Sequence, residues 1–100
     1  MPNNPLGPAP GGNQTALDVS ATTVIKATPG RIYTVNVTTA GSTTGSIYDN
    51  NSAVSGNVAA ALVAVVPLAI GIYPLGPFPC VNTGIVFVPG TGMVASIAFE

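Results

Sequence analysis

The sequence predicts an all-β protein: a single small antiparallel β-sandwich, jelly-roll or Ig-like, of about six to eight strands behind an extended Pro/Gly-rich N-terminal arm. Three observations predict it. Short runs of β-branched and aromatic residues recur along the chain. Turn signals built on Pro, Gly, Asn and Ser separate them every 8–12 residues or so. No stretch sustains a helical period or repeats another.

Residues 1–15 form the arm, and residues 16–100 the sandwich. The stretch from Pro2 to Thr15 holds four prolines and three glycines. Proline fixes φ and removes a donor, so this run is extended or irregular. Leu6 is its one large side chain beyond Met1. Thr22–Thr28 reads as a strand ending at the Pro29-Gly30 turn. Arg31–Thr38 alternates, with Ile32, Thr34, Asn36 and Thr38 on one face and Arg31, Tyr33, Val35 and Val37 on the other. Ala40–Thr44 is a loop, Gly45–Asp49 a short strand, and Asn50–Ser52 a turn. The alanines of Ala53–Ala61 suit a short helix. Leu62–Val66 is a buried strand stopped at Pro67, and Ala69–Tyr73 a further strand. Tyr73–Pro79 carries three prolines, which confines it to an edge or a shaped loop. Gly84–Val88 and Met93–Phe99 are strands that the Pro89–Gly92 turn joins as a hairpin.

The chain has 100 residues, enough for one domain. Apolar residues are 47% of it, the usual level, but charged residues are only 5%, against a norm of about 25%. The charged side chains are Asp18, Lys26, Arg31, Asp49 and Glu100, and histidine is absent. General acid–base work, metal binding and phosphate clamping all need such groups brought together. The sequence therefore offers no catalytic, cofactor-binding or metal-binding residues and points to a non-enzyme. A net charge of −1 with two cations cannot supply the phosphate contacts of a nucleic-acid binder. The apolar run from Val58 to Tyr73 is broken by Pro67 and Gly71 and falls short of the roughly 20 residues of a spanning helix. Met1–Pro5 lacks the basic and apolar regions of a signal peptide.

Smaller motifs reduce to structure. Cys80 is the sole cysteine, so no internal disulfide forms, and among Phe, Pro and Val it reads as a small buried side chain. Gly90-Thr-Gly92 opens no helix and has no lysine after it, so it is a turn and not a phosphate loop. Asp49 reads as a turn residue, and Asp18 as a partner for Lys26 or Arg31. Tyr33, Tyr48 and Tyr73 offer packing surface, or the aromatic face of an adhesive module.

A neutral, partly apolar skin favours association, so copies of the chain or a partner are expected to cover it. The stretch from Thr22 onward includes Thr23–Arg31, Val37–Ser42, Ile47–Asp49, Phe78–Cys80 and Gly84–Gly92. In texture and order it resembles the small β-sandwich head-associated virion proteins of tailed bacteriophages: decoration, cement or head-fibre proteins. The resemblance implies a structural protein made in the bacterial cytoplasm and resident on the capsid surface. Its partners would be the major capsid protein and itself, with a trimer favoured and no cofactor. The interface candidates are Pro5, Leu6 and Pro8 of the arm, Arg31, and Tyr73, Pro74 and Phe78 of the proline loop. A tail or baseplate component, a carbohydrate-binding module and a small membrane protein are the alternatives.

Overall fold

A computed structural model describes residues 14–80 and 82–100. Eight strands form two four-stranded antiparallel sheets: β1 (Gln14–Val19), β2 (Thr23–Lys26), β3 (Gly30–Thr39), β4 (Gly45–Tyr48), β5 (Leu62–Val66), β6 (Gly71–Cys80), β7 (Ile85–Val88) and β8 (Val94–Phe99). The first sheet runs β1-β8-β3-β6 and the second β2-β7-β4-β5. Each early strand pairs with its mirror late in the chain: β1 with β8, β2 with β7, β3 with β6, β4 with β5. The chain thus folds in half about residues 49–61 into one long ribbon. Rolling the ribbon up adds the contacts β3 to β8 and β4 to β7. This order is that of an eight-stranded jelly roll. It settles the choice that the sequence leaves open between jelly roll and Ig-like.

The core lies between the sheets. Val19, Ile32, Val35, Val37, Ala95, Ile97 and Phe99 from the first sheet meet Ile47, Val66, Ile85 and Phe87 from the second, with Met93 beside them. Alternation delivers these residues, most cleanly in β8, where Ala95, Ile97 and Phe99 are buried and Val94, Ser96 and Ala98 are not.

Several expectations give way. Gly84–Val88 and Met93–Phe99 do not form a hairpin: β7 lies in the second sheet and β8 in the first. The Pro89–Gly92 turn instead carries the chain across the sandwich, closed by the Met93 amide donating to the Gly90 carbonyl at 2.9 Å. Gly90 is required there because a methyl group would overlap the Thr43 carbonyl oxygen, and Gly92 because its φ is +79°. The alternation expected of Arg31–Thr38 slips at Tyr33. There β3 takes two steps against one of β8, from Ile32↔Phe99 to Thr34↔Ala98. This bulge puts Ile32 on the same buried face as Val35 and Val37, and Thr34 and Asn36 on the other.

Ala53–Ala61 forms no α-helix beyond a single 3-10 turn at Ala59–Ala61. The Asn50 side-chain amide competes for the backbone instead. It donates to the Ser55 carbonyl at 2.7 Å and to the Ser52 carbonyl at 3.0 Å. Ala69–Tyr73 and Tyr73–Pro79 merge into one edge strand, β6, whose register breaks opposite Ile32 and Thr34. β1 is unanticipated and begins at Gln14, so Gln14 and Thr15 belong to the sandwich and not to the arm.

Phe87→Ala empties the centre of the core and should cost about 3–5 kcal/mol in urea unfolding. Gly90→Ala forces Thr43 aside, whereas Gly92→Ala meets nothing within 4 Å and strains only its own backbone. The expected losses are up to about 3 kcal/mol for the first and about 1–2 kcal/mol for the second.

Candidate functional site

The charged groups are the natural place to look for chemistry, and the fold disperses them. Asp18 sits in the β1 bulge between Ala16 and Val19 with φ +56°, a conformation that Asp tolerates better than most residues. Its side chain is exposed, on the first sheet. Asp49 follows β4 in the second sheet. Its Oδ1 accepts the backbone amides of Thr83 at 3.0 Å and Gly84 at 3.3 Å. It is therefore more than a turn residue: it ties the middle of the chain to the approach of β7. The two carboxylates share no partner.

Arg31 pairs with neither aspartate. Its Nη1 lies 3.3 Å from Glu100 Oε1, and the Tyr33 hydroxyl donates to the same oxygen at 3.3 Å. The backbones of Arg31 and Glu100 also exchange both hydrogen bonds, at 3.2 and 2.9 Å. Arg31 thus fastens the chain's last residue to β3. With half of its side chain exposed, the pair is worth about 0–1 kcal/mol. Among the described residues, no cluster of three His, Cys, Asp or Glu side chains gathers.

The tyrosines do not share a face. Tyr33 is buried beside Glu100, Tyr48 lies in the second sheet, and Tyr73 packs toward the core with its hydroxyl on the Ala69 carbonyl at 2.7 Å. Pro74 is exposed on β6 opposite Thr34. Pro5, Leu6 and Pro8 lie outside the described residues, as do the side chains of Phe78 and Cys80.

What the fold does gather is apolar surface. Leu62, Val65, Leu68, Ile70 and Ile72 are all exposed, Val65 at 54% and Ile72 at 69%. They run along β5, the β5–β6 connection and the start of β6. β5 and β6 are the end strands of their sheets. The connection from Pro67 to Ile70 can span only about 14 Å, little more than the roughly 10 Å between packed sheets. The two edges therefore lie on one side of the sandwich, and these residues form a band along it. Val54 and Val58, in the loop that leads into β5, are exposed as well.

The outer face of the second sheet is apolar too, but only its β5 end is exposed. Val24, Val86, Tyr48 and Leu62 stand in one register row, and Val88, Ser46 and Val65 in the next. Val86 is fully buried yet stands apart from the core cluster. The outer face of the first sheet differs, with Thr15, Ala98, Thr34 and Pro74 in one row and Ser96, Asn36 and Ile72 in another. Neither face carries a charge in these rows.

Sequence reasoning missed this band. It lies within the apolar run from Val58 to Tyr73, whose strand Leu62–Val66 reads from sequence as buried and not as an exposed edge. Among the described residues, no helix is long and apolar enough to cross a membrane. Comparison with known protein families, with curated proteins and with solved structures finds no match for this chain.

Removing the Asp49 carboxylate leaves two backbone amides without an acceptor. Asp49→Ala should cost about 1.5–3 kcal/mol in thermal or denaturant unfolding, and it should speed hydrogen exchange at Thr83 and Gly84. Asp49→Asn keeps an oxygen acceptor and should lose about half as much.

Proposed function

We propose that the chain is a structural virion protein of a tailed bacteriophage. It binds the outside of the capsid as a decoration or cement protein and bridges coat subunits. The observation that supports this reading most is the uncharged apolar band along the β5–β6 side, on a sandwich whose few charges are scattered or occupied internally. A surface of this kind is costly to leave in water and cheap to desolvate against a neutral partner. Large neutral contacts repeated by symmetry are what a shell protein needs.

The mechanism is passive. Binding across the seam between coat subunits favours the closed shell by mass action, in proportion to the occupancy of the added protein. A standard contact buries about 800 Å² per partner. The accessible surface of the chain is 4957 Å², so two such contacts, one to the coat and one to a further copy, would take about a third of it. A head-fibre, tail or baseplate role would use the same surface and differs in copy number. The adhesive reading gains nothing from the tyrosines, which stand apart.

Quantitative mass spectrometry of purified particles tests the proposal. The expected result is a ratio to the major capsid protein near one, or a simple lattice fraction. Tens of copies per particle would move the protein to a fibre or the tail, and absence from particles would end the virion reading.

Two variants then locate the contact. Arg31→Ala should change stability by less than about 1 kcal/mol, so any loss of particle binding reports an interface and not a folding defect. Deletion of residues 2–13 removes the arm and spares β1, and particle binding should weaken if the arm reaches the coat.

A further inference from the structure

The four sheet edges are not alike. A free edge presents unpaired amides and carbonyls to any passing strand, and proteins guard against this with bulges, charges and proline. β1 has a bulge holding Asp18 in a left-handed conformation. β2 has a bulge at Ile25 and ends on Lys26. β6 carries Pro74, Pro77 and Pro79, each without an amide hydrogen, and a register break. β5 is Leu-Val-Ala-Val-Val, with no charge, proline or glycine, and its single irregularity falls near its start, at Val63. Among the described residues β5 pairs only with β4.

We infer that β5 is a self-association edge: a second copy of this chain pairs with it, β5 against β5, antiparallel and about a two-fold axis. This deepens the proposed function by naming the contact through which the protein associates with itself, and it rests on reading the chain as an assembling protein. Three arguments select a second copy as the occupant. The remaining edges are guarded, so the edge that best accepts β5 is another β5. A strand that pairs with its own copy does so isologously, which closes at two. No charged residue occurs between Asn50 and Phe99, so two copies meet without like-charge repulsion, and there is no charge on β5 to steer a charged partner instead.

The contact has enough surface to hold. Pairing would join the two second sheets into one of eight strands. It would bring Leu62 and Val65 of each copy against the other, with Val58, Leu68 and Ile70 flanking. Five large apolar side chains on each side make the apolar centre of a standard interface. The three-fold that the resemblance implies would need a head-to-tail contact between unlike surfaces. The guarded edges disfavour that, so the unit inferred here is a dimer.

The test uses the full chain in solution, at about 100 µM, above the micromolar dissociation constant that a small interface can give. Analytical ultracentrifugation should show a species of twice 9.9 kDa. Val65→Lys, at an exposed position, should return it to the monomer with unchanged circular dichroism, melting where wild type diluted to its monomer melts. Leu17→Lys, still more exposed but on the β1 edge, should leave the dimer intact. In a Cys80→Ser background, cysteines placed singly from Leu62 to Val65 should cross-link under mild oxidation at the position nearest the axis and not along the whole strand.

A monomeric wild type, a trimer, or a dimer indifferent to Val65→Lys would each overturn the inference. So would a dimer lost on deletion of residues 2–13 but kept in Val65→Lys, since that would make the arm the occupant. None of these results depends on particles. A monomer leaves the capsid reading to its own copy-number test, and absence from particles leaves the dimer standing.

Discussion

The backbone ladder that folds this chain in half governs everything else in the molecule. Four nested antiparallel pairs, from β4 with β5 outward to β1 with β8, place each residue opposite one about as far beyond the midpoint as it stands before it. The loop at 49–61 is that midpoint. Its Asn50 network and the Asp49 tether to Thr83 and Gly84 therefore act where one error of register would spread through every later pair. At the far end the Arg31–Glu100 backbone exchange holds the last residue in line. Contacts of this kind are long-range in sequence, and a ladder built from them assembles slowly. The strand edges and the two outer faces are where they are because the ribbon rolls in this order.

Scarcity of charge shapes the surface that the ribbon leaves. A typical domain surrounds its core with lysine and glutamate, which disperse it and resist dehydration. Here Arg31 and Glu100 satisfy one another, Asp49 serves the backbone, and Asp18 occupies a bulge. Beyond these and Lys26, what remains exposed is hydroxyl, amide and hydrocarbon. Such a surface loses little when a neutral neighbour covers it, and salt has little to screen. Association of this protein would respond to temperature and concentration more than to ionic strength.

The sequence made most of the strands legible but not their partners. Leu62–Val66 matches β5 in its bounds though not in its expected burial, and Met93–Phe99 matches β8 within one residue, because alternation and β-branched composition are local signals. The Pro89–Gly92 turn is local too. It announces that the chain reverses and says nothing of whether the next strand joins the same sheet, so the hairpin reading failed. β1 escaped because Gln14–Val19 alternates weakly and its bulge breaks the pattern at Asp18. The slip at Tyr33 has the same cause: a bulge inserts one residue, and period two cannot register it in advance. Of the candidate site, Arg31 and the proline strand were visible as unusual residues. The apolar band was not, because its meaning depends on which strands end up at an edge.

That dependence carries the argument about function further than composition does. A two-layer sandwich buries one face of each sheet, so half of its strand positions should be content in water. The first sheet largely obeys, with Thr, Ser, Asn and Ala on its outer rows until Pro74 and Ile72 at the β6 edge. The second does not: Val24, Val86, Tyr48 and Leu62 cross its outer face, followed by Val88 and Val65. A run such as Leu62–Val66, apolar on both faces, is written for a strand covered on both sides, yet the ribbon delivers it to an edge. The chain itself covers the middle of that outer face, where Val86 is fully buried, and leaves its β5 end exposed. The exposed part of this apolar surplus is therefore confined to the β5 side, Leu62 and Val65, where an unguarded edge offers hydrogen bonds as well as contact.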